Sequence, residues 1–289
     1  MKKILATLTI IIILTSLGIY HKHHRDQKIT LSPKLPSNNS AILIIHLDRA
    51  IIRQENVNKI FSSANEIDSL KSFQQHIIES VDGKQLSDED RQKYYKQGIF
   101  TPHPVLKDNI NLSNNLIACF LSHRKAWQYI VDNNLDSGLI FEDDVKIEPH
   151  IFNEAIKIGL NNLREDLLIR FRNQKLNKID QLLDLYNEGI YIRYIPPTCL
   201  ASYLISKQTA KKLLDLTKEF DRPVDEYLKL TKITGVYSAE VYPTGITEIS
   251  EQLGGSNIGY QEKKVNFSFF DKIILEFKRA FYRLQLLHL

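Results

Sequence analysis

Three consecutive acids, Glu142, Asp143 and Asp144, follow directly on the apolar run Leu139-Ile140-Phe141. A short apolar run after the turn Ser137-Gly138 reads as a buried strand. In open α/β sheets, ligands bind beyond the carboxyl ends of the strands. Alternate residues Glu142 and Asp144 can point to the same side and offer two oxygens to one divalent cation. A hard cation such as Mg²⁺ or Mn²⁺ prefers carboxylates and keeps positions open for phosphate oxygens. The same triplet also suits a solvated loop whose acid caps the next helix, because short acidic motifs recur by chance. Upstream, residues 116–131 carry apolar side chains at helical spacing, with Leu116, Phe120, Trp127 and Ile130 on one seam and His123 among them. Ala118, Ser122 and Ala126 are small and four apart, so another backbone can approach that face. A histidine packed there can donate to a phosphate or approach a metal. It can equally be a core histidine satisfied by hydrogen bonds.

These residues need a scaffold, and the chain supplies the pattern for one. Apolar runs at 41–45, 77–81, 139–141, 167–171, 191–194, 200–205 and 236–241 predict strands. Helices are predicted near 53–63, 116–131, 151–163, 207–219 and 224–231, with Ser206 at an N-cap position and Pro223 near a helix start. Residues 84–112 read as polar and loop-rich. Strands alternating with helices predict an α/β domain with a mainly parallel central sheet. Of the 289 residues, 43% are hydrophobic and 25% charged, which suits a substantial core and argues against disorder. The net charge of +4 is spread along the chain and gives no basic stripe, so no nucleic acid partner is expected. Cys119 and Cys199 each sit in an apolar run and read as small buried hydrophobes.

Four regions are expected. Residues 1–20 hold Lys2-Lys3 and then an apolar stretch from Ile4 to Tyr20, short for a membrane-spanning helix, which predicts an N-terminal transmembrane anchor or a signal sequence. Residues 21–40, with clustered histidines, Pro33 and Pro36, read as a linker. The folded domain spans 41–260. Residues 261–289 form a basic amphipathic C-terminal helix that either lies on an anionic membrane surface or docks on the domain. No glycine-rich phosphate loop with a Walker lysine occurs, which argues against nucleotidyl or phosphoryl transfer.

The run Ala118-Cys119-Phe120-Leu121-Ser122-His123-Arg124-Lys125-Ala126-Trp127, followed by Leu139-Ile140-Phe141-Glu142-Asp143-Asp144-Val145, resembles the signature helix and strand end of glycosyltransferase family 25. That family includes lipooligosaccharide galactosyltransferases and collagen galactosyltransferase domains. Ile45-His46-Leu47-Asp48-Arg49, Val81-Asp82-Gly83, Ala201-Ser202-Tyr203-Leu204-Ile205-Ser206 and Arg222-Pro223-Val224-Asp225 match further family motifs in the same order. The chain departs at Ala118, Thr198 and Ala201, where the family usually has glycine; the added methyl groups narrow the space available to a donor. The arginine that often closely follows the Leu-Asp-Arg motif is represented only by Arg53.

The resemblance implies a GT-A-like nucleotide-sugar-binding domain and transfer of a hexose, commonly galactose, from a UDP-sugar. The acceptor would be a glycan, a lipopolysaccharide or a protein hydroxylysine. Sugar–phosphate cleavage leaves charge on the departing diphosphate, so Mn²⁺ or Mg²⁺ held by Asp144 with Glu142 would stabilise it. Asp143 would contact ribose or sugar hydroxyls. Arg49, Arg53 and Lys125 are candidates for nucleotide contacts, with Asp48 and Asp82 near the base or ribose, and Ser122 and His123 facing the same site. An inverting transfer needs a base for the acceptor hydroxyl; the resemblance points to Asp225, with Glu251 in reserve. The alternative is a catalytically inactive, membrane-tethered protein of the same fold that binds nucleotide sugar or glycan. A bacterial version would sit at the inner membrane by a single-pass anchor, with its catalytic domain in the cytoplasm where sugar nucleotides are made.

Overall fold

The computed structural model describes residues 32–35, 38–96, 112–171, 185–187, 190–193 and 199–255. The expected anchor at 1–20, much of the expected linker and the expected helix at 261–289 lie outside the described residues. Among the described residues, no helix is long and apolar enough to cross a membrane.

In chain order the elements are β1 (Ser40–His46), α1 (Ile51–Asn65), β2 (Gln74–Glu79), α2 (Asp88–Tyr94), α3 (Asn114–Asp132), β3 (Ser137–Glu142), β4 (Val145–Ile147), α4 (Pro149–Asn161), β5 (Leu167–Phe171), β6 (Leu185–Asn187), β7 (Ile190–Arg193), β8 (Ser202–Ser206), α5 (Lys207–Leu216), α6 (Val224–Tyr227), α7 (Thr231–Thr234), β9 (Tyr237–Val241) and β10 (Ile246–Glu248). One sheet runs β2-β1-β3-β8-β5-β9-β7-β6, and β10 pairs separately with β4. β1 is parallel to β2 and β3, and β5 to β9. β8 runs against both β3 and β5, and β7 against both β9 and β6. Six strands therefore share one direction and two are reversed. The sheet is largely parallel, as expected, in an arrangement consistent with a GT-A-like topology.

Strand alternation distributes the core. Ala41, Leu43 and Ile45 of β1 join Phe120, Trp127 and Ile130 of α3 on one face. Ile42 and Ile44 join Val57 and Ile60 of α1 and Phe152 and Ile156 of α4 on the other. A strand buried on both faces has no polar side to show, which explains the unbroken apolar run 41–45. Three serines fix helix starts by accepting from backbone N–H groups: Ser87 from Asp90 at 3.0 Å, Ser113 from Leu116 at 3.3 Å, and Ser206 from Thr209 at 3.0 Å. Ser32, ahead of the sheet, is tied to it by donating to Asp166, from N–H at 2.9 Å and from Oγ at 2.7 Å.

Several boundaries differ from expectation for local reasons. The segment 84–112 contains α2, which buries no residue and so carries no apolar periodicity; its signal is the Ser87 cap with Asp88, Glu89 and Asp90 in the first turn. β2 begins three residues before the predicted start, because its exposed residues Gln74 to His76 are polar. The helix predicted at 224–231 is two single turns, α6 and α7, the second closed by Gly235 in the left-handed region.

Candidate active site

The three acids stand where β3 ends, and four hydrogen bonds to the backbone fix their turn. Glu142 N–H donates to Ala201 O at 2.9 Å, and Ile249 N–H to Asp144 O at 2.7 Å. Asn56 of α1 donates through Nδ2 to both Asp143 O and Val145 O, each at 2.9 Å. With that backbone held, the side chains diverge. Asp143 turns inward: Oδ2 lies 2.8 Å from His46 Nδ1, and Oδ1 accepts from Arg53 Nη1 at 2.6 Å. Arg53 also lies 3.1 Å from Asp144 Oδ2 and donates to Gly255 O at 2.7 Å. Gly254 and Gly255 have φ of +88° and +89°, a region favouring glycine, and this lets the chain present that carbonyl to Arg53.

One guanidinium thus serves two buried carboxylates, and the balance is short of positive charge. Asp144 is 6% exposed, and its Oδ1 has no hydrogen-bond partner. Burial first, and the charge of Glu142 second, push its carboxyl up to about 7, with Arg53 opposing. The Arg53 guanidinium is raised although burial opposes it, because Asp144, Asp143 and Glu142 surround it with negative charge. An unpartnered buried carboxylate oxygen beside a second acid suits a divalent cation. Asp144 offers such an oxygen, whereas Asp143 already has a partner on each of its own.

Glu142 reaches the other way, toward α3, with its side chain 27% exposed. Its Oε1 lies 3.3 Å from His123 Nε2, and His123 Nδ1 lies 3.0 Å from the Tyr203 hydroxyl. Trp127 Nε1 donates to the same hydroxyl at 2.9 Å. Tryptophan only donates, so Tyr203 Oη accepts from it and has its own proton to give to His123. His123 then presents Nε2–H to Glu142, a chain with every buried polar atom satisfied. Cys119 lies one turn before His123. Donor atoms of Cys119, His123 and Glu142 all fall within 4.8 Å of one another, a cluster able to coordinate a metal. Burial and the charges of Glu142 and Asp225 hold the Cys119 thiol well above its ordinary value.

The remaining expected residues fall into separate groups. Arg49 and Asp82 form a two-point pair at 2.6 and 3.1 Å, past the ends of β1 and β2. Asp48 is exposed in the same turn. Ser122 Oγ accepts from Val81 N–H at 2.9 Å and donates to Ala118 O at 2.7 Å, so the chain after β2 does pack on the small-residue face of α3. Gly83 allows this approach, since a Cβ there would lie 2.7 Å from Asn115 Cα. Lys125 is exposed, donates to Glu79 O, and borders a groove of about 330 Å³. Asp225 is half-buried; Oδ2 accepts from Cys199 N–H at 3.0 Å and Oδ1 from Glu226 N–H at 2.9 Å. Glu251 is exposed on the 3₁₀ turn Ser250–Leu253.

Sequence reasoning missed His46, Asn56, Tyr203 and Glu248. Only their positions in the fold, and no local spacing, bring them to the acids. Both cysteines pack against the core as expected, but each is only half-buried and stands close to an acid. Cys199 holds φ +85°, with its N–H on Asp225, its carbonyl accepting from Arg170 at 3.0 Å and its thiol 3.4 Å from Glu248 Oε2. A side chain other than glycine in that region is strained, and here three neighbours hold it.

The family model for glycosyltransferase family 25 (LPS biosynthesis protein) matches residues 39–228, which carry β1, α3, the acidic turn and Asp225. The chain belongs to that family. It is 32% identical over 208 residues to a glycosyltransferase 25 family member of Aedes aegypti, covering 68% of this chain and 32% of the relative. Procollagen galactosyltransferase 2 of Homo sapiens is 25% identical over 213 residues, 70% of this chain and 32% of its own length. Inactive glycosyltransferase 25 family member 3 of Mus musculus is 26% identical over 161 residues, 53% of this chain and 26% of its own. The chain spans about a third of the length of the first curated relatives it matches.

Proposed function

We propose that this family 25 chain transfers a hexose, galactose first among the donors, from a UDP-sugar to a glycan or lipopolysaccharide acceptor with inversion. The observation that carries the reading is Asp144, a buried carboxylate with an unpartnered oxygen and a raised pKa at the mouth of β3. Asp144 and Glu142 would hold Mn²⁺ or Mg²⁺. When bound, such an ion supplies positive charge against the departing diphosphate. The chain's own residues do the rest. Arg53, His46 and Asn56 lock Asp143 and the turn, so that Glu142 and Asp144 keep their places without reorganising. The Tyr203–His123 pair holds Glu142 from the opposite side. Arg49, Asp82, Ser122 and Lys125, with Asp48 at the rim, are assigned to the nucleotide. Asp143 meets sugar or ribose hydroxyls through whichever lone pairs His46 and Arg53 leave.

Asp225 is assigned as the base. Its two N–H bonds fix its orientation, and a carboxylate with about four lone-pair sites retains one on each oxygen for an acceptor hydroxyl. Glu251 is the reserve. The domain boundaries, the N-terminal anchor at 1–20 and an inner-membrane, cytoplasm-facing placement belong to the same proposal. A second reading, an inactive binding protein, draws on the two backbone bonds that already occupy Asp225 and on the alanines at positions 118 and 201. Incubating the purified protein with a panel of UDP-sugars and Mn²⁺ separates the two. Metal-dependent UDP release abolished by Asp144→Ala supports the transferase, whereas binding without turnover supports the second reading.

A further inference from the structure

Beside the Glu142–Asp144 pair stands a donor set of different chemistry. Cys119 and His123 are one helical turn apart on α3, so both project to the same side. Glu142 faces them from the end of β3. A tetrahedral ion with ligands at about 2.0–2.3 Å places its donor atoms about 3.3–3.8 Å apart. His123 Nε2 and Glu142 Oε1 already stand at 3.3 Å, and no pair among the three donors exceeds 4.8 Å. Glu142 is partly exposed, so its carboxylate has room to close the remaining gap. His123 Nδ1 meets the Tyr203 hydroxyl, an oxygen that can accept from Nδ1–H and so serve as the outer partner of a metal-bound imidazole once the ring proton has left Nε2. Tyr203 is itself held by Trp127.

We infer that Cys119, His123 and Glu142 form a transition-metal site selective for Zn²⁺ or Co²⁺ over Mn²⁺ and Mg²⁺, with one coordination position left open. Thiolate and imidazole favour borderline-soft ions, whereas carboxylate pairs suit hard ones. On binding, the Cys119 thiol releases its proton to solvent, and the His123 ring proton moves from Nε2 to Nδ1, which then donates a hydrogen bond to Tyr203 Oη as the tyrosine hydroxyl proton rotates off that contact. Glu142 is common to this site and to the donor-metal pair proposed above. Zn²⁺ would therefore draw Glu142 from that pair and inhibit transfer. The coordination itself does not depend on the transferase reading.

The test is spectroscopic and uses the full chain with Co²⁺ alone. The expected result is one Co²⁺ per chain, with intense tetrahedral visible bands and a near-ultraviolet thiolate-to-cobalt band. Zn²⁺ bleaches the bands in equimolar amount; a large excess of Mn²⁺ does not. Cys119→Ser loses the near-ultraviolet band and Cys199→Ser keeps it. A wild-type spectrum without the thiolate band overturns the assignment. So does a band that survives Cys119→Ser, vanishes in Cys199→Ser or is bleached by Mn²⁺ as readily as by Zn²⁺. Failure of the UDP-sugar panel would leave these spectra unchanged, so the two ideas fail separately.

Discussion

Replacing Asp144 by Asn should change how stability depends on pH, and the size of the change follows from the burial of the site. The Asp144 carboxyl goes from an ordinary value of 3.8 to about 7 in the folded protein. Between those values the native state holds a proton that the unfolded chain has already released. The stabilising contribution is therefore full below about pH 4 and is lost as pH rises to about 7. At about 1.4 kcal/mol per pH unit, a span of about three units amounts to about 4 kcal/mol. Asp144→Asn removes the titration and keeps an oxygen for Arg53. Urea unfolding of both proteins without divalent cations, from about pH 4 to about pH 8, should show similar stability at the acid end. The variant should then gain on wild type by about 4 kcal/mol at neutral pH. Adding Mn²⁺ at neutral pH should narrow the difference by stabilising wild type alone. If the difference is the same at every pH, the carboxylate is not held short of positive charge, and the argument for a cation there fails.

Arg53→Ala leaves Asp143 and Asp144 buried without their guanidinium, so unfolding free energy should fall by about 3–5 kcal/mol near pH 7, measured by denaturant titration. Tyr203→Phe takes the acceptor from Trp127 Nε1–H and the partner from His123, and should cost about 1–3 kcal/mol by the same assay. Asp225→Asn should lower kcat by about 10²–10⁴-fold while UDP affinity, read by calorimetry, stays at the wild-type level.

The parts of the fold legible in the sequence were those whose burial leaves a periodic trace. β1 and β3 are buried on both faces and read as apolar runs, and the seam of α3 read as a helix with His123 on its inner side. α2, β4 and β10 were not legible. The first buries nothing, and the other two have three residues each, too few for a period. At the site, the acidic triplet was visible because its members are consecutive. That Asp143 turns to His46 and Arg53 while Asp144 keeps an unpartnered oxygen depends on α1 packing beside the turn. No local pattern announces that. Tyr203 is similar: it lies opposite Ile140 across the β3–β8 register, and only that pairing brings its hydroxyl to α3.

A crystal grown with UDP and manganese, with the ion located by its anomalous signal, bears most directly on the central claim. One peak is expected, coordinated by Asp144 and Glu142 and by diphosphate oxygens, with Asp143 still on His46 and Arg53. A bound UDP whose metal lies elsewhere, with the Asp144 side chain turned to Arg53 alone, would contradict it.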